Sequence, residues 1–423
     1  MLFVVSTVNY ADRATLSIAG PAAAKQLGMG AVAMGYVFSA FGWAYVLGQI
    51  PGGVLLDRFG SKRVYAMSIL LWSLVTGLQG CAGWLNAPGA VASLFALRLV
   101  LGLAESPAFP GNSRIVAAWF PARERGTAAA IFNASQYFAT VVFAPLTGWL
   151  TDSYGWPSVF FVMGGLGLAL AALWNLAIYN PREHPLANAG ELDYIQRGGA
   201  LIDIDRPAAP SSGVNWSRAW QMVSNRMLLG IFLAQYCITT LTYFFLTWFP
   251  VYLIRQRHMS SLKAGLAASL PALCGFFGGV LGGIFSDALL RRGYSLSVAR
   301  KLPIVGGMLL SVSMIICNYV DVSWLIVLIM SISFFGKGVG SLGWAVVSDT
   351  APKSVAGLCG GVFNMFGNTA AVTTPIVIGY IVDVTKSFNG ALVFVAAHAV
   401  GAILCYLLVA GEIKRVVLPG EAV

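Results

Sequence analysis

Residues 53–63 read Gly53-Val54-Leu55-Leu56-Asp57-Arg58-Phe59-Gly60-Ser61-Lys62-Arg63. This short charged stretch separates two apolar runs, near 33–56 and 64–82. A run of about 20 apolar residues is what a helix needs to cross a bilayer. A basic loop between two such runs marks the cytoplasmic side. The stretch also has an echo, because Gly53-x3-Asp57 returns as Gly283-x3-Asp287, an offset of 230. Pro121, Gly126, Phe132 and Asn133 return as Pro352, Gly357, Phe363 and Asn364, at 231. Pro145, Gly148 and Asp152 return as Pro375, Gly379 and Asp383. Helical periodicity alone does not produce so many matches at one offset, so the halves read as a duplication.

The composition agrees. Of 423 residues, 58% are hydrophobic and 10% charged, against about 25% charged in soluble domains. Twelve apolar runs are counted, near 1–24, 33–56, 64–82, 91–111, 126–150, 157–179, 227–254, 264–287, 302–320, 323–347, 357–383 and 389–412. The first opens at Met1, which predicts a first helix already under way at residue 1. Polar residues 180–226 read as a cytoplasmic linker between an N-terminal bundle (1–179) and a C-terminal bundle (227–423). The expectation is an all-α polytopic membrane protein with twelve transmembrane helices in two six-helix, pseudo-symmetric halves.

The net charge of +10 suggests nucleic acid until its distribution is read. With both termini cytoplasmic, eighteen of the 26 Lys and Arg fall on inner loops, five on outer loops and three inside spans. That bias is a topology signal, and a nucleic-acid partner is excluded. The six Cys lie singly in or at the ends of apolar runs and the three His form no cluster, so no metal site is expected.

The three cations inside spans are Arg13, Arg98 and Lys337, joined there by Asp12 and Glu105. Each costs about 2.5–3.5 kcal/mol on insertion scales, so each needs a role. Arg98 and Glu105, seven apart, share one face of span four, whereas adjacent Asp12 and Arg13 diverge by about 100° and need different partners. A cationic surplus suits an organic anion. Arg13 and Arg98 can hold a carboxylate bidentately, and Asp12 and Glu105 are the proton-carrying candidates. The plain alternative is a set of ion pairs that only hold helices together. Tyr10, Tyr45, Gln136, Gln235, Ser341, Trp344, Asn364 and Asn368 are polar or amphipathic residues within apolar runs. Each alone reads first as an interhelical hydrogen bond; together they could serve a polyol chain. The aromatic cluster Phe244–Phe249 reads as packing or an interfacial belt.

The 53–63 stretch resembles the signature that follows the second span of major facilitators. By that resemblance Gly53 allows close helix approach, Asp57 caps or pairs, and Arg58 anchors the inner face. Asp287 repeats the device in the second half, and all four are gating candidates. Asn9-Tyr10-Ala-Asp12-Arg13, Met34-Gly-Tyr-Val-Phe-Ser-Ala-Phe41, Gln49-Ile-Pro-Gly52 and Trp119-Phe-Pro121 resemble the anion:cation symporter branch. Phe109-Pro-Gly-Asn-Ser-Arg114 and Phe334-Phe-Gly-Lys-Gly338 are similar to its sugar-acid permeases, those for glucarate and galactarate.

That resemblance implies proton-coupled import of a sugar diacid across a bacterial inner membrane, by alternating access about a midplane site between the halves. The carrier would be a monomer in the bilayer, without catalysis and without a cofactor beyond the coupling proton. It implies proton carriers at Asp12 and Glu105, and substrate contacts at Tyr10, Arg13, Tyr45, Arg98, Gln136, Gln235, Ser341, Trp344 and Asn364. The related galactonate transporter has an Asn where this chain has Lys337, which leads us to expect Lys337 at a second substrate carboxylate. The rival expectations are a sugar monoacid such as galactonate or a hexuronate, and a sensor that binds without transport.

Overall fold

The computed structural model describes residues 1–121, 124–205, 216–352 and 356–416. Arg123, Arg206, Lys353 and the linker stretch 206–215 lie outside the described residues. The chain divides into two compact units, Met1–Ser212 with Ser260–Leu262, and Gly213–Met259 with Lys263–Val423.

Twelve long helices are present among the described residues. The first six are α1 Leu2–Leu27, α2 Ala31–Phe59, α3 Ser61–Trp84, α4 Ala87–Trp119, α5 Arg125–Tyr154 and α6 Trp156–Ala177. The others are α7 Arg226–Arg255, α8 Ser261–Arg291, α9 Leu296–Tyr319, α10 Ser323–Thr350, α11 Ala356–Thr385 and α12 Asn389–Val409. Among the described residues, ten helices are long and apolar enough to cross a membrane, and α1 and α5 are not among these. The reason in α1 is its polar content, because Ser6, Thr7, Asn9, Asp12, Arg13, Thr15 and Ser17 are all buried. Such groups face protein, where partners exist, and not lipid, where they would have none.

Turn chemistry sets the boundaries. Gly60 and Gly155, at φ 79° and 82°, each join two helices as a single residue, a backbone region that side chains with a Cβ rarely adopt. Asn86 caps α4 through Gly89 N (3.0 Å), and Asn225 caps α7 through Met227 N (3.1 Å). Both satisfy amides that a helix start leaves without partners.

In the first unit α1 lies on α5, α2 on α4 and α3 on α6; in the second, α7 lies on α11 and on α12, and α9 on α10. One close approach in the first unit joins α2 to α4. A Cβ on Gly102 would collide with the Phe41 carbonyl oxygen and come within 2.9 Å of Tyr45 N. One on Gly48 would stand 2.6 Å from Ser106 Oγ, and one on Gly52 3.1 Å from Pro107 N. Gly278 and Gly282, 230 residues beyond Gly48 and Gly52, meet the carbonyls of Phe335 and Val339 on α10 in the same way. The duplicated sequence thus conserves a packing device. It corrects one expectation: Gly53 and Gly283 have open space where a Cβ would stand, so close approach belongs to the glycines one and five residues earlier.

Spans four and ten, expected as continuous runs near 91–111 and 323–347, are interrupted. α4 breaks at Ser106–Pro107 and α10 at Gly340–Leu342. The aromatic run on α7 is packing: Phe244, Phe245, Trp248 and Phe249 are buried along a widened turn. In the linker, helix Ala189–Arg197 folds with Ile195, Ala200 and Ile202 into a small core. Leu201 N then donates to Ala117 O at 2.8 Å, which fastens the segment to α4.

The α2–α4 contact gives a stability prediction. Gly102→Leu is expected to destabilise the protein by about 1–3 kcal/mol, the usual cost of overpacking. A fall in melting temperature of the detergent-solubilised protein would show it, and an unchanged melting temperature would contradict this packing.

Candidate functional site

Among the described residues, the buried charged side chains are Asp12, Arg13, Arg98, Glu105 and Lys337, the same five that stand inside the predicted spans. Four lie on α1 and α4. Glu105 ends the first segment of α4, immediately before the break at Ser106–Pro107. Arg98 lies two turns earlier, about 10 Å along the axis.

Arg13 donates through Nε to Glu105 Oε2 at 2.8 Å, with the carboxylate fully buried. Its guanidinium is enclosed by the rings of Tyr10, Phe41 and Tyr45, with centroids at 5.0, 4.8 and 4.6 Å. Planar, weakly hydrated guanidinium tolerates such a box as an ammonium would not. The divergence expected of Asp12 and Arg13 is observed. Neither carboxylate oxygen of Asp12 has a hydrogen-bond partner, and neither do Nε and Nη2 of Arg98. These two residues interact with each other and with Glu105 electrostatically. Arg13 and Glu105 are therefore bonded to each other, while Asp12 and Arg98 keep hydrogen-bonding capacity that a bound anion or water can use. An anion with several oxygens could complete Arg98 and compete with Glu105 for Arg13.

The remaining candidates divide between the two units. Tyr10 and Tyr45 belong to the Arg13 box, and Gln136 is half-buried on α5. In the second unit Gln235 Nε2 donates to Thr239 Oγ1 at 3.2 Å, and its side chain packs against Gly343 and Gly367. Trp344 is exposed and meets Phe363 edge-on at 5.0 Å. Asn364 Oδ1 accepts from Asn368 Nδ2 at 3.0 Å, and Asn368 Oδ1 accepts from the Tyr243 hydroxyl at 3.2 Å. Ser341, exposed in the break of α10, donates to the Lys337 carbonyl at 2.8 Å. The Lys337 ammonium is buried and lies 5.3 Å from the Phe334 ring centre. Gly336 and Gly338 flank it and bring α10 against the backbones of Gly307 and Gly275.

Of the gating candidates, Asp57 forms an ion pair with Arg114, and Asp287 pairs with Arg300 at 3.4 Å. Arg114 and Arg300 each bridge to a second carboxylate, Asp205 (3.2 Å) and Asp349 (2.8 Å). Arg58 is exposed beside the Phe59 ring. Reading the sequence alone missed a second buried polar group beside the charges. Asn9 Nδ2 is turned toward Glu105 without closing a hydrogen bond of full geometry. Asn112 Nδ2 donates to Ser6 Oγ at 3.0 Å, and the Tyr65 hydroxyl donates to Asn112 Oδ1 at 2.9 Å. The spacing of Ser6, Asn9 and Arg13 along one face of α1 was the available signal.

With this geometry in place, comparison with known proteins is direct. The sequence matches the Major Facilitator Superfamily over residues 2–372. It is 63% identical over 419 residues to the "Probable galactarate/D-glucarate transporter GudP" of Bacillus subtilis (strain 168), covering 99% of this chain and 92% of that protein. It is 39% identical over 417 residues to the "D-galactonate transporter" of Escherichia coli O6:H1, covering 98% and 95%. Among solved structures, a bacterial homolog of the human lysosomal transporter Spinster, inward-facing and unoccupied, superposes with TM-score 0.75 at 15% identity, covering 97% of this chain and 95% of that one. At that identity the likeness concerns the fold. The twelve-helix architecture, the duplication and these matches have one conclusion: the chain is a multi-pass membrane transporter and belongs to the Major Facilitator Superfamily.

Proposed function

We propose that this protein is a proton-coupled symporter that imports the sugar diacids galactarate and D-glucarate across the bacterial inner membrane, with both termini in the cytoplasm. The observation that carries the reading is the full-length identity to a protein named for that transport; the five buried charges supply its chemistry. Arg13 and Arg98 bind one substrate carboxylate, Lys337 meets the other, and the polar side chains Tyr10, Tyr45, Gln136, Gln235, Ser341, Trp344 and Asn364 serve the hydroxyls. The carrier works as a monomer and needs no cofactor apart from the proton. Gly53, Asp57, Arg58 and Asp287 act at the inner ends of their helices in gating, and the face of Gly53 is open in this structure.

The Arg13–Glu105 pair gives the coupling a physical form. While Glu105 is ionised it occupies Arg13. Protonation of Glu105 removes that competitor, and the substrate carboxylate then takes the guanidinium. Release reverses the exchange, because Glu105 regains Arg13 as it loses its proton. Asp12, without hydrogen-bond partners, tunes the same guanidinium cluster and carries the second protonation candidate.

Two tests follow. Glu105→Gln is expected to keep galactarate exchange between the two sides of a proteoliposome but to abolish accumulation driven by an inward proton gradient. A variant that still accumulates substrate would exclude Glu105 as a proton carrier. Lys337→Asn is expected to weaken galactarate binding by about 10- to 100-fold, the value of one charge-assisted hydrogen bond (~1.5–3 kcal/mol), and to leave galactonate binding unchanged. Competition by galactarate and galactonate against a labelled diacid measures this. Equal losses for both ligands would favour the monoacid reading that the galactonate relative supports.

A further inference from the structure

The duplication extends to the carbonyls that end α4 and α10. In the first unit one guanidinium holds two of them: Arg125 donates through Nε to Phe120 O (3.2 Å) and through Nη2 to Ala117 O (3.2 Å). In the second unit Arg415 donates through Nη1 to Ala351 O (3.2 Å) and through Nη2 to Ser348 O (3.1 Å). Ala351 and Ser348 stand 231 residues beyond Phe120 and Ala117, the same offset that relates Pro352 to Pro121. The two arginines, however, do not correspond. The counterpart of Arg125 at that offset is Ala356, and the guanidinium arrives instead on the segment that follows α12. Equivalent acceptors are thus served from different parts of the chain.

A helix leaves its last carbonyls without partners, and a cation there also meets the negative end of the helix dipole. In α10 the end contacts have a further weight. Its second segment, Gly343–Thr350, has eight residues and is cut off from the first at Gly340–Leu342. Two turns of helix are unstable alone, so the contacts at the segment's end decide where it lies. The stretch 411–416 supplies most of them. Besides the two bonds from Arg415, Val416 N donates to Thr350 O at 2.9 Å. The stretch is itself fastened to the start of α9, because Ile413 N donates to Ser297 Oγ at 2.6 Å and the Lys301 ammonium donates to Gly411 O. Arg300 Nε, also on α9, holds Asp349 of the same segment at 2.8 Å. One end of the segment is therefore tied down at Ser348, Asp349, Thr350 and Ala351, while its other end opens onto the break.

The end at the break carries two of the candidate substrate contacts. Ser341 lies in the break, and Trp344, exposed and edge-on to Phe363, is the second residue of the segment. Ser348 Oγ donates to the Trp344 carbonyl at 3.0 Å, so the tethered turn and the turn that carries the indole are directly bonded. Resting on the proposed transport of sugar acids, we propose that Arg415 is a positioning residue of the substrate site. Through the carbonyls of Ser348 and Ala351 it fixes the second segment of α10, and with it the direction in which Trp344 points. Arg415 itself touches no substrate. The segment after α12 is then a working part of the second unit, as Arg125 at the start of α5 is of the first.

The test uses the full-length protein in detergent, with backbone hydrogen exchange and galactarate binding as its two readings. Arg415→Gln is expected to speed exchange across 343–351 by about 10-fold, the value of one charge-assisted hydrogen bond, and to leave exchange across 108–120 unchanged. The dissociation constant for galactarate is expected to rise by a similar factor. Combining Arg415→Gln with Ala356→Arg, which supplies the guanidinium from the position that Arg125 holds in the first half, is expected to restore both readings. Unchanged exchange across 343–351 would overturn the tether, and faster exchange with unchanged galactarate binding would overturn its part in the substrate site. Faster exchange in both units alike would mean a general loss of stability and would also overturn the proposal. Failure of Ala356→Arg to restore either reading would overturn the equivalence of Arg415 and Arg125. The exchange reading needs no substrate, so if the unsubstituted protein bound no galactarate while 343–351 responded as expected, the failure would lie in the proposed substrate and the tether would stand.

Discussion

A guanidinium buried in an apolar first unit is the constraint around which that unit is arranged. Arg13 cannot stay charged there without an anion at hydrogen-bond distance and a polarisable wall around it. Glu105 provides the first at 2.8 Å, and Tyr10, Phe41 and Tyr45 provide the second. Two of the three rings, Phe41 and Tyr45, come from α2 and the anion from α4, so both helices must come close to α1 at the same height. That explains why α2 and α4 meet through glycine at Gly48, Gly52 and Gly102, where a single methyl group would collide with backbone or side chain. The break at Ser106–Pro107 follows immediately after Glu105, so the residue that anchors Arg13 is also the last of a rigid helical segment.

The second unit uses the same backbone device for different chemistry. Gly278 and Gly282 bring α8 onto α10 as Gly48 and Gly52 bring α2 onto α4, and α10 is interrupted as α4 is. Yet where the first unit concentrates four charges, the second has Lys337 and a set of amides and hydroxyls around Gln235, Ser341 and Asn364. Duplication has kept the helix contacts, which any helix of small residues can satisfy, and has let the functional side chains diverge. The pairing of Asp57 with Arg114 and of Asp287 with Arg300 sits between these extremes. The acidic partner is repeated, whereas the arginine comes from α4 in one unit and α9 in the other.

What was legible in the sequence follows the same division. The twelve helices, the repeat and the five buried charges could be read because hydrocarbon makes each a strong signal: a long apolar run is required, and a charge inside it is costly. Asp12 and Arg13 were even separable by helical geometry, and only Arg13 is bonded to Glu105. Gly53 misled because glycine spacing does not say which face of a helix meets a neighbour; two positions on the same helix, at Gly48 and Gly52, do the packing instead. Ser6, Asn112 and Tyr65 were not found because single hydroxyls and amides in apolar helices most often bond a neighbouring helix, and nothing in the sequence says that three of them meet. The helix breaks were hidden for a related reason, since Pro107 and Gly340 resemble the many other prolines and glycines that the long helices absorb without interruption.

The number of buried charges bears on how one architecture could serve both monoacids and diacids. With Asp12 and Glu105 ionised, Arg13, Arg98 and Lys337 leave the five groups at a net charge of +1. A dianionic substrate brings the sum to −1, and one proton on Glu105 or Asp12 brings it to zero. Without Lys337 the same groups sum to zero, a monoanion makes −1, and again one proton restores neutrality. Neutrality matters because moving one charge through a membrane potential costs about 2.3 kcal/mol per 100 mV, besides the cost of a charge in a low-dielectric interior. On the proposed function, then, Lys337 and the second substrate carboxylate cancel each other.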